Sequence, residues 1–251
     1  MSDYDRNYAA TPRGYATDRA AIDAGLRAHM IRVYNYMAIG VALTGLVAWF
    51  TFQAAATVTA GGVALTPLGQ TLFNSPLMWV IMLAPLGLVF WLSFGINRLS
   101  ASAAQALFFI YAALLGVSLS TIFLAFTETS ITRVFFISAA AFGGLSLWGY
   151  TTQRDLSGMG SFLIMGLIGV VIASLVNIFL RSSGLDWIIS VIGVIVFAGL
   201  TAWDTQKIKE MYSPMDDGTI AGRKAVMGAL SLYLDFINLF MMLLRLFGDR
   251  R

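Results

Sequence analysis

Two aspartates stand in stretches of the chain that are otherwise apolar. Asp204 closes the run IISVIGVIVFAGLTAWD, and Asp235 lies inside SLYLDFINLFMMLLRLF. A carboxylate at the centre of a bilayer helix costs roughly 2.5–3.5 kcal/mol on insertion scales, so an acid kept there marks a candidate functional site. Asp235 is the firmer of the two. Ser231, four residues before it, and Asn238, three after it, share its helical face. That polar stripe must face protein or water rather than lipid. Asp204 is followed by Lys207 three residues on, so by itself it also fits an ordinary helix-end acid.

Brought together, two carboxylates do not both ionise cheaply. They share a proton and titrate as a unit. Such a pair can gate by proton, bind a hard cation, or perform acid–base hydrolysis. A calcium ion takes about six to eight oxygens, and a pair of aspartates supplies only part of that shell. The site would be weak, which suits passage of the ion, since it must leave as well as enter. Hydrolysis fits less well. Intramembrane aspartyl proteases carry Tyr-Asp, Gly-x-Gly-Asp and Pro-Ala-Leu motifs. Here the first position reads Trp203-Asp204 and the second Tyr233-Leu234-Asp235, without the glycines that admit a substrate backbone. Ala84-Pro85-Leu86 scrambles the third and lies in the wrong segment. No enzymatic activity is expected.

Other chemistry is excluded by composition. There are no cysteines, so no disulfide, thiolate or Cys-based metal site exists. The single histidine, His29, precedes the first apolar segment and is expected at the membrane interface. A serine–histidine dyad within the membrane is therefore unavailable. The lysines, at 207, 209 and 224, all lie in the last polar stretch, so no span carries a Schiff-base lysine. No phosphate-cradling loop or metal-spaced histidine cluster is present. Neither a cofactor nor a nucleic-acid partner is expected.

The elements that carry the aspartates follow from the same composition. The chain of 251 residues is 58% hydrophobic and only 12% charged, with a mean hydropathy of +0.78. A soluble domain carries about 25% charge. The expected fold class is an all-α integral membrane protein with seven transmembrane helices, whose natural partner is the lipid bilayer. The apolar segments cover 31–52, 77–97, 103–126, 131–150, 160–181, 185–204 and 227–247. Each is near the ~20 residues needed to cross ~30 Å of hydrocarbon.

Residues 1–28 read as a polar amino-terminal arm, flexible at first and then a short helix capped near Thr17 or Asp18. They lack a signal-peptide pattern. Residues 29–251 form the membrane domain. Residues 53–76 read as an uncharged loop and 205–226 as a polar one. Gly184 is expected to cap the fifth helix in a tight hairpin. Ala112, Gly116 and Ser120, and the pairs Ala139–Gly143 and Ala140–Gly144, have the spacing that lets helices approach closely in lipid.

Charge asymmetry orients the chain. With the amino terminus inside, 11 of the 16 Lys and Arg fall on the cytoplasmic side. A re-entrant last segment would raise that count to 14 of 16. Its length of about 21 residues favours a full crossing, the arrangement adopted here. In either arrangement both aspartates lie towards the cytoplasmic side.

The runs Ala198-Gly199-Leu200-Thr201-Ala202-Trp203-Asp204-Thr205-Gln206-Lys207-Ile208-Lys209 and Ala229-Leu230-Ser231-Leu232-Tyr233-Leu234-Asp235-Phe236-Ile237-Asn238-Leu239-Phe240 resemble the Bax inhibitor-1 family, bacterial members included. The seven-segment plan and polar arm extend the resemblance over most of the chain. It implies a central last helix surrounded by the other six, in a multi-pass protein of the bacterial inner membrane. It implies a pH-sensitive calcium leak, with the aspartates matching Asp204 and Asp235 forming a carboxylate pair. It also implies an arginine at the end of the second helix that latches onto the sixth-helix aspartate. Arg98 is the basic residue placed to match it. Leak members can carry a glutamate within the second helix, whereas residues 77–97 contain no acid. Some bacterial relatives instead restrain a membrane-anchored ATP-dependent protease through the amino-terminal arm, a role residues 1–28 would suit.

Overall fold

The structure is a computed structural model describing residues 13–59 and 62–251, with side chains described from residue 22 onward. The first residues of the polar arm lie outside the described part. Nine α-helices are described: α1 (Arg13–Ala55), α2 (Pro67–Phe73), α3 (Leu77–Gly95), α4 (Ala101–Leu119), α5 (Ile122–Ala125), α6 (Glu128–Thr151), α7 (Ser157–Leu180), α8 (Ser183–Glu210) and α9 (Gly218–Phe247). Seven helical stretches are long and apolar enough to cross a membrane, those built on α1, α3, α4, α6, α7, α8 and α9.

Helix α9 is the axis of the bundle. It packs chiefly against α8, α1, α6 and α4, while α3 leans on α4 and α7 on α8 from outside. Buried residues from Gly222 to Leu244 cover most of its circumference, leaving one half-buried stripe through Met227, Ser231, Leu234, Asn238 and Met241. A helix buried on most of its faces is the interior one. By contrast α3 and α7 expose most of their apolar residues, as helices bathed in lipid must.

The last segment is a full crossing. At 30 residues α9 is ~45 Å long. It runs parallel to α1: Thr44 meets Tyr233 near mid-bundle, and the Arg251 guanidinium lies 5.7 Å from the Phe52 ring centre at one end. The carboxyl end therefore emerges on the face opposite the start of α1, which rules out a re-entrant last segment.

That carboxyl end is stapled down. Thr127 N donates to Asp249 O (3.0 Å) and Arg251 N to Ala125 O (3.0 Å). Asp249 N donates to Ser130 Oγ (2.8 Å). Asp186, at the start of α8, pairs with Arg245 (3.6 Å) and Arg250 (3.5 Å).

Several local expectations are corrected. No separate short helix with a cap at Thr17 or Asp18 precedes the first span; α1 starts at Arg13 and continues unbroken to Ala55. No proline follows Pro12 to interrupt this Ala-rich stretch. Residues 53–76 are not an unstructured loop. They form an antiparallel hairpin, β1 (Ala56–Thr59) with β2 (Gly62–Leu65), and then α2. The Thr66 hydroxyl caps α2 by accepting from Gly69 N (3.2 Å), and Pro67 occupies the first turn, where its missing N–H costs nothing.

Gly184 does not cap α7. The left-handed position is Arg181 (φ 49°), held because Asn177 Oδ1 accepts from Ser182 N (3.0 Å). Gly184 sits in the first turn of α8, which Ser182 caps.

The small-residue positions divide. Gly116 is pressed on α1, where a β-carbon would stand 2.7 Å from Thr44 O. Gly143 and Gly144 face open space.

Candidate functional site

Helix α8 continues through Asp204 to Glu210, and α9 starts at Gly218, capped by the Asp217 carboxylate (Ile220 N to Oδ1, 2.7 Å). Neither aspartate is a helix-end acid. Asp235 lies ~26 Å along α9, seventeen residues past its start. Lys207 does not pair with Asp204; its ammonium lies 4.9 Å from the centre of the Trp203 ring.

The antiparallel packing of α8 on α9 brings the Asp204 and Asp235 carboxyls within hydrogen-bonding reach of each other. Asp235 is only 5% exposed, and Asp204 is half-buried. Asp235 Oδ2 finds no donor among the described residues. A carboxylate can only accept hydrogen bonds, whereas a protonated carboxyl can donate one. Two carboxyls side by side can be bridged by a proton carried on one of them.

Close approach of three helices holds the pair. Gly149 of α6 lies on the Ala202 backbone of α8, and Gly160 of α7 lies under the Trp203 ring. A ladder of hydroxyls crosses the same level. Thr205 Oγ1 donates to Thr201 O (2.7 Å), so its proton is spent. Ser146 Oγ therefore donates to Thr205 Oγ1 (2.9 Å), and the Tyr34 hydroxyl donates to Ser146 Oγ (2.6 Å). This ladder ties α1 to α6 and α6 to α8, one residue beyond Asp204.

Gln206 clips the α6–α7 connection onto α8. Leu156 N donates to Gln206 Oε1 (2.8 Å), and Gln206 Nε2 donates to Arg154 O (2.8 Å). In that connection the Asp155 carboxyl is held below the usual carboxylate range by hydrogen bonds from Ser157. Lys209 Nζ adds a bond to Tyr150 O (3.0 Å).

The remaining expected residues are distributed as follows. Ser231 and Asn238 flank Asp235 on α9 and are half-buried. Asn238 turns back on its own helix, donating Nδ2 to Leu234 O (2.8 Å). Arg98 ends a short 3-10 turn after α3, is exposed, and makes no ion pair among the described residues. The tie from the end of the second span to α9 is made by Arg223, whose Nε donates to Leu99 O (2.6 Å). His29, expected at the membrane interface, is buried in the protein. It is 7% exposed, its ring lies 5.8 Å from that of Tyr212, and its Nε2 has no partner among the described residues.

The roles of Thr205, Ser146, Tyr34 and Gln206 escaped sequence reasoning, since isolated hydroxyls and amides in apolar runs carry no pattern. The one available signal was Thr205-Gln206 following Trp203-Asp204 directly. Among the described residues, no group of three or more His, Cys, Asp or Glu could hold a metal ion.

Seven crossing helices, four of them packed round the central last one, with a carboxyl pair between the last two, define an all-α integral membrane protein. The family model described as "Inhibitor of apoptosis-promoting Bax1" matches residues 26–251, and the chain belongs to that Bax inhibitor family. It is 47% identical over 231 residues to the inner membrane protein YbhL of Escherichia coli K12, covering 91% of this chain and 94% of that one. It is 45% identical over 251 residues to the uncharacterized protein RP147 of Rickettsia prowazekii, covering all of both chains. A Caulobacter vibrioides protein is 42% identical over 259 residues, also covering both in full.

Proposed function

We propose that this protein is a proton-regulated leak for calcium in a bacterial inner membrane, with the Asp204–Asp235 pair as its gate. The observation that carries the reading is the contact between two carboxyls, one of them buried with an oxygen that lacks a protein donor. With a shared proton the pair bridges α8 and α9. Without it, two like charges face each other in a low-dielectric interior and repel. The separated carboxylates then present oxygens to a passing cation, in a site too poor in ligands to retain it. The relative YbhL, named an inner membrane protein, supports the location. The charge bias supports a cytoplasmic amino terminus. Hydrolysis is disfavoured because Leu232 and Leu234 stand where an aspartyl protease needs glycine.

The test is calcium flux into dye-loaded liposomes containing the purified protein. Wild type should pass calcium, more at higher pH. An Asp204→Asn, Asp235→Asn double variant with an unchanged pH-dependent flux would refute the gate. Orientation is read separately by labelling single cysteines placed at positions 2 and 251. The fold requires labelling from opposite sides, and the proposed orientation requires position 2 to react from the cytoplasm.

A further inference from the structure

Helices α1 and α6 both flank α9, yet they scarcely pack on each other. Towards the amino-terminal end of α1 the seam between them opens into a groove of about 460 Å³. Met30 and Ile31 of α1 form one wall, and Phe142 and Leu147 of α6 the other. Gly143 lies between the α6 pair, and a β-carbon on it would meet nothing within 4 Å. The missing side chain is thus part of what keeps the groove open. At its mouth stands Arg27, exposed and without an ion-pair partner among the described residues. Arg27 precedes the apolar run that starts at Ile31 by one helical turn, so it sits at headgroup depth while the groove descends into hydrocarbon.

We propose that this groove is a binding site for one anionic phospholipid, its phosphate on Arg27 and one acyl chain laid over Gly143 between α1 and α6. Two independent features meet in the choice of occupant. The walls are apolar and face the bilayer, which selects a chain. The one charged side chain lining the groove is cationic and placed at the surface, which selects a negatively charged headgroup. The back of the groove is formed by Tyr34 and Ser146, the same hydroxyls that bridge α1 to α6 and lead on to Thr205. A seated chain fills the seam beside that bridge and holds α1 against the helix that abuts Asp204. The site does not depend on the leak reading.

Native mass spectrometry of the full chain, released from detergent with phosphatidylglycerol or phosphatidylcholine of identical acyl chains, tests the site. Wild type should retain one phosphatidylglycerol with about tenfold preference, the size of one charge-assisted contact. Arg27→Gln should bring that preference down to parity. Gly143→Leu should lose retention of both lipids, because its side chain occupies the path of the acyl chain. An unchanged thermal midpoint shows that this variant is folded, and should it unfold, Arg27→Gln carries the test. Equal retention of the two lipids by wild type, or full retention by either folded variant, overturns the proposal. So does phosphatidylglycerol binding that appears only after residues 2–21 are deleted, since the groove would then belong to the amino-terminal arm.

Discussion

Gly149 of α6 and Ala202 of α8 touch backbone to backbone, so close that a β-carbon on Gly149 would overlap the Ala202 carbonyl. This approach occurs two residues before Asp204 and one turn of α6 beyond Ser146. It sets the level at which α8 presents its carboxylate to α9.

Gly149→Ala should therefore destabilise the bundle by about 1–3 kcal/mol, the range for overpacking a filled interior. Gly143→Ala, six residues earlier on the same helix and facing open space, should change stability by less than about 0.5 kcal/mol. Chemical unfolding in detergent compares the two. Equal effects would show that the α6–α8 contact does not have the tightness assigned to it.

Gln206→Ala should cost about 1–3 kcal/mol, because it removes two hydrogen bonds and leaves the Leu156 N–H and Arg154 carbonyl unpaired. The released α6–α7 connection should also become the preferred cleavage site in limited proteolysis. Gln206→Glu keeps the acceptor for Leu156 N but loses the donor to Arg154 O, so an intermediate effect is expected.

Thr44 and Tyr233 make an asymmetric pair. The Thr44 hydroxyl lies 2.9 Å from two carbonyls, Gly40 O and Ala112 O, and 2.6 Å from the Tyr233 hydroxyl. Carbonyls only accept, so Thr44 donates to them and Tyr233 donates to Thr44. Tyr233→Phe should cost about 1 kcal/mol, while Thr44→Val strands a fully buried phenol and should cost about 2–3 kcal/mol. The double variant should be no worse than Thr44→Val alone. Additive losses in this cycle would show that the two hydroxyls are not bonded to each other.

The proposed leak predicts a definite sign for its pH dependence. Under the proposed gate, a shared proton bridges α8 and α9 when pH is low, and its loss as pH rises separates the carboxyls, so flux should increase with pH. Asparagine cannot lose the bridging proton, so Asp235→Asn should hold flux near its low-pH level at every pH. Asp155→Asn is the control. The Asp155 carboxyl is held below the usual range by hydrogen bonds from Ser157, so it is already ionised across neutral pH, and its removal should leave the profile intact. A profile flattened by Asp155→Asn but kept by Asp235→Asn would place the titrating group elsewhere.

The bilayer made much of this protein legible in one dimension. Seven runs of about the right length, two of them holding an acid, stand out because hydrocarbon tolerates few polar groups. Asp235 was identifiable in this way. Asp204 looked like a helix end until α8 proved to run six residues further, since polar residues at 205–210 read as loop in a hydropathy pattern although they continue the helix. The hairpin and α2 were hidden for the opposite reason: Ala, Thr and Gly between 53 and 76 have no strong period.

The sequence by itself determined the number of spans and the candidate acids, because crossing hydrocarbon depends on composition along the chain. Only the tertiary structure decided which side chains meet. A lipid-bathed helix is apolar on nearly every face, so its sequence says little about its rotation around its own axis. That rotation decides whether Asp204 faces Asp235, whether a glycine on α6 is filled by Ala202 or left open beside Arg27, and whether Arg98, at the end of the second span, meets an acid.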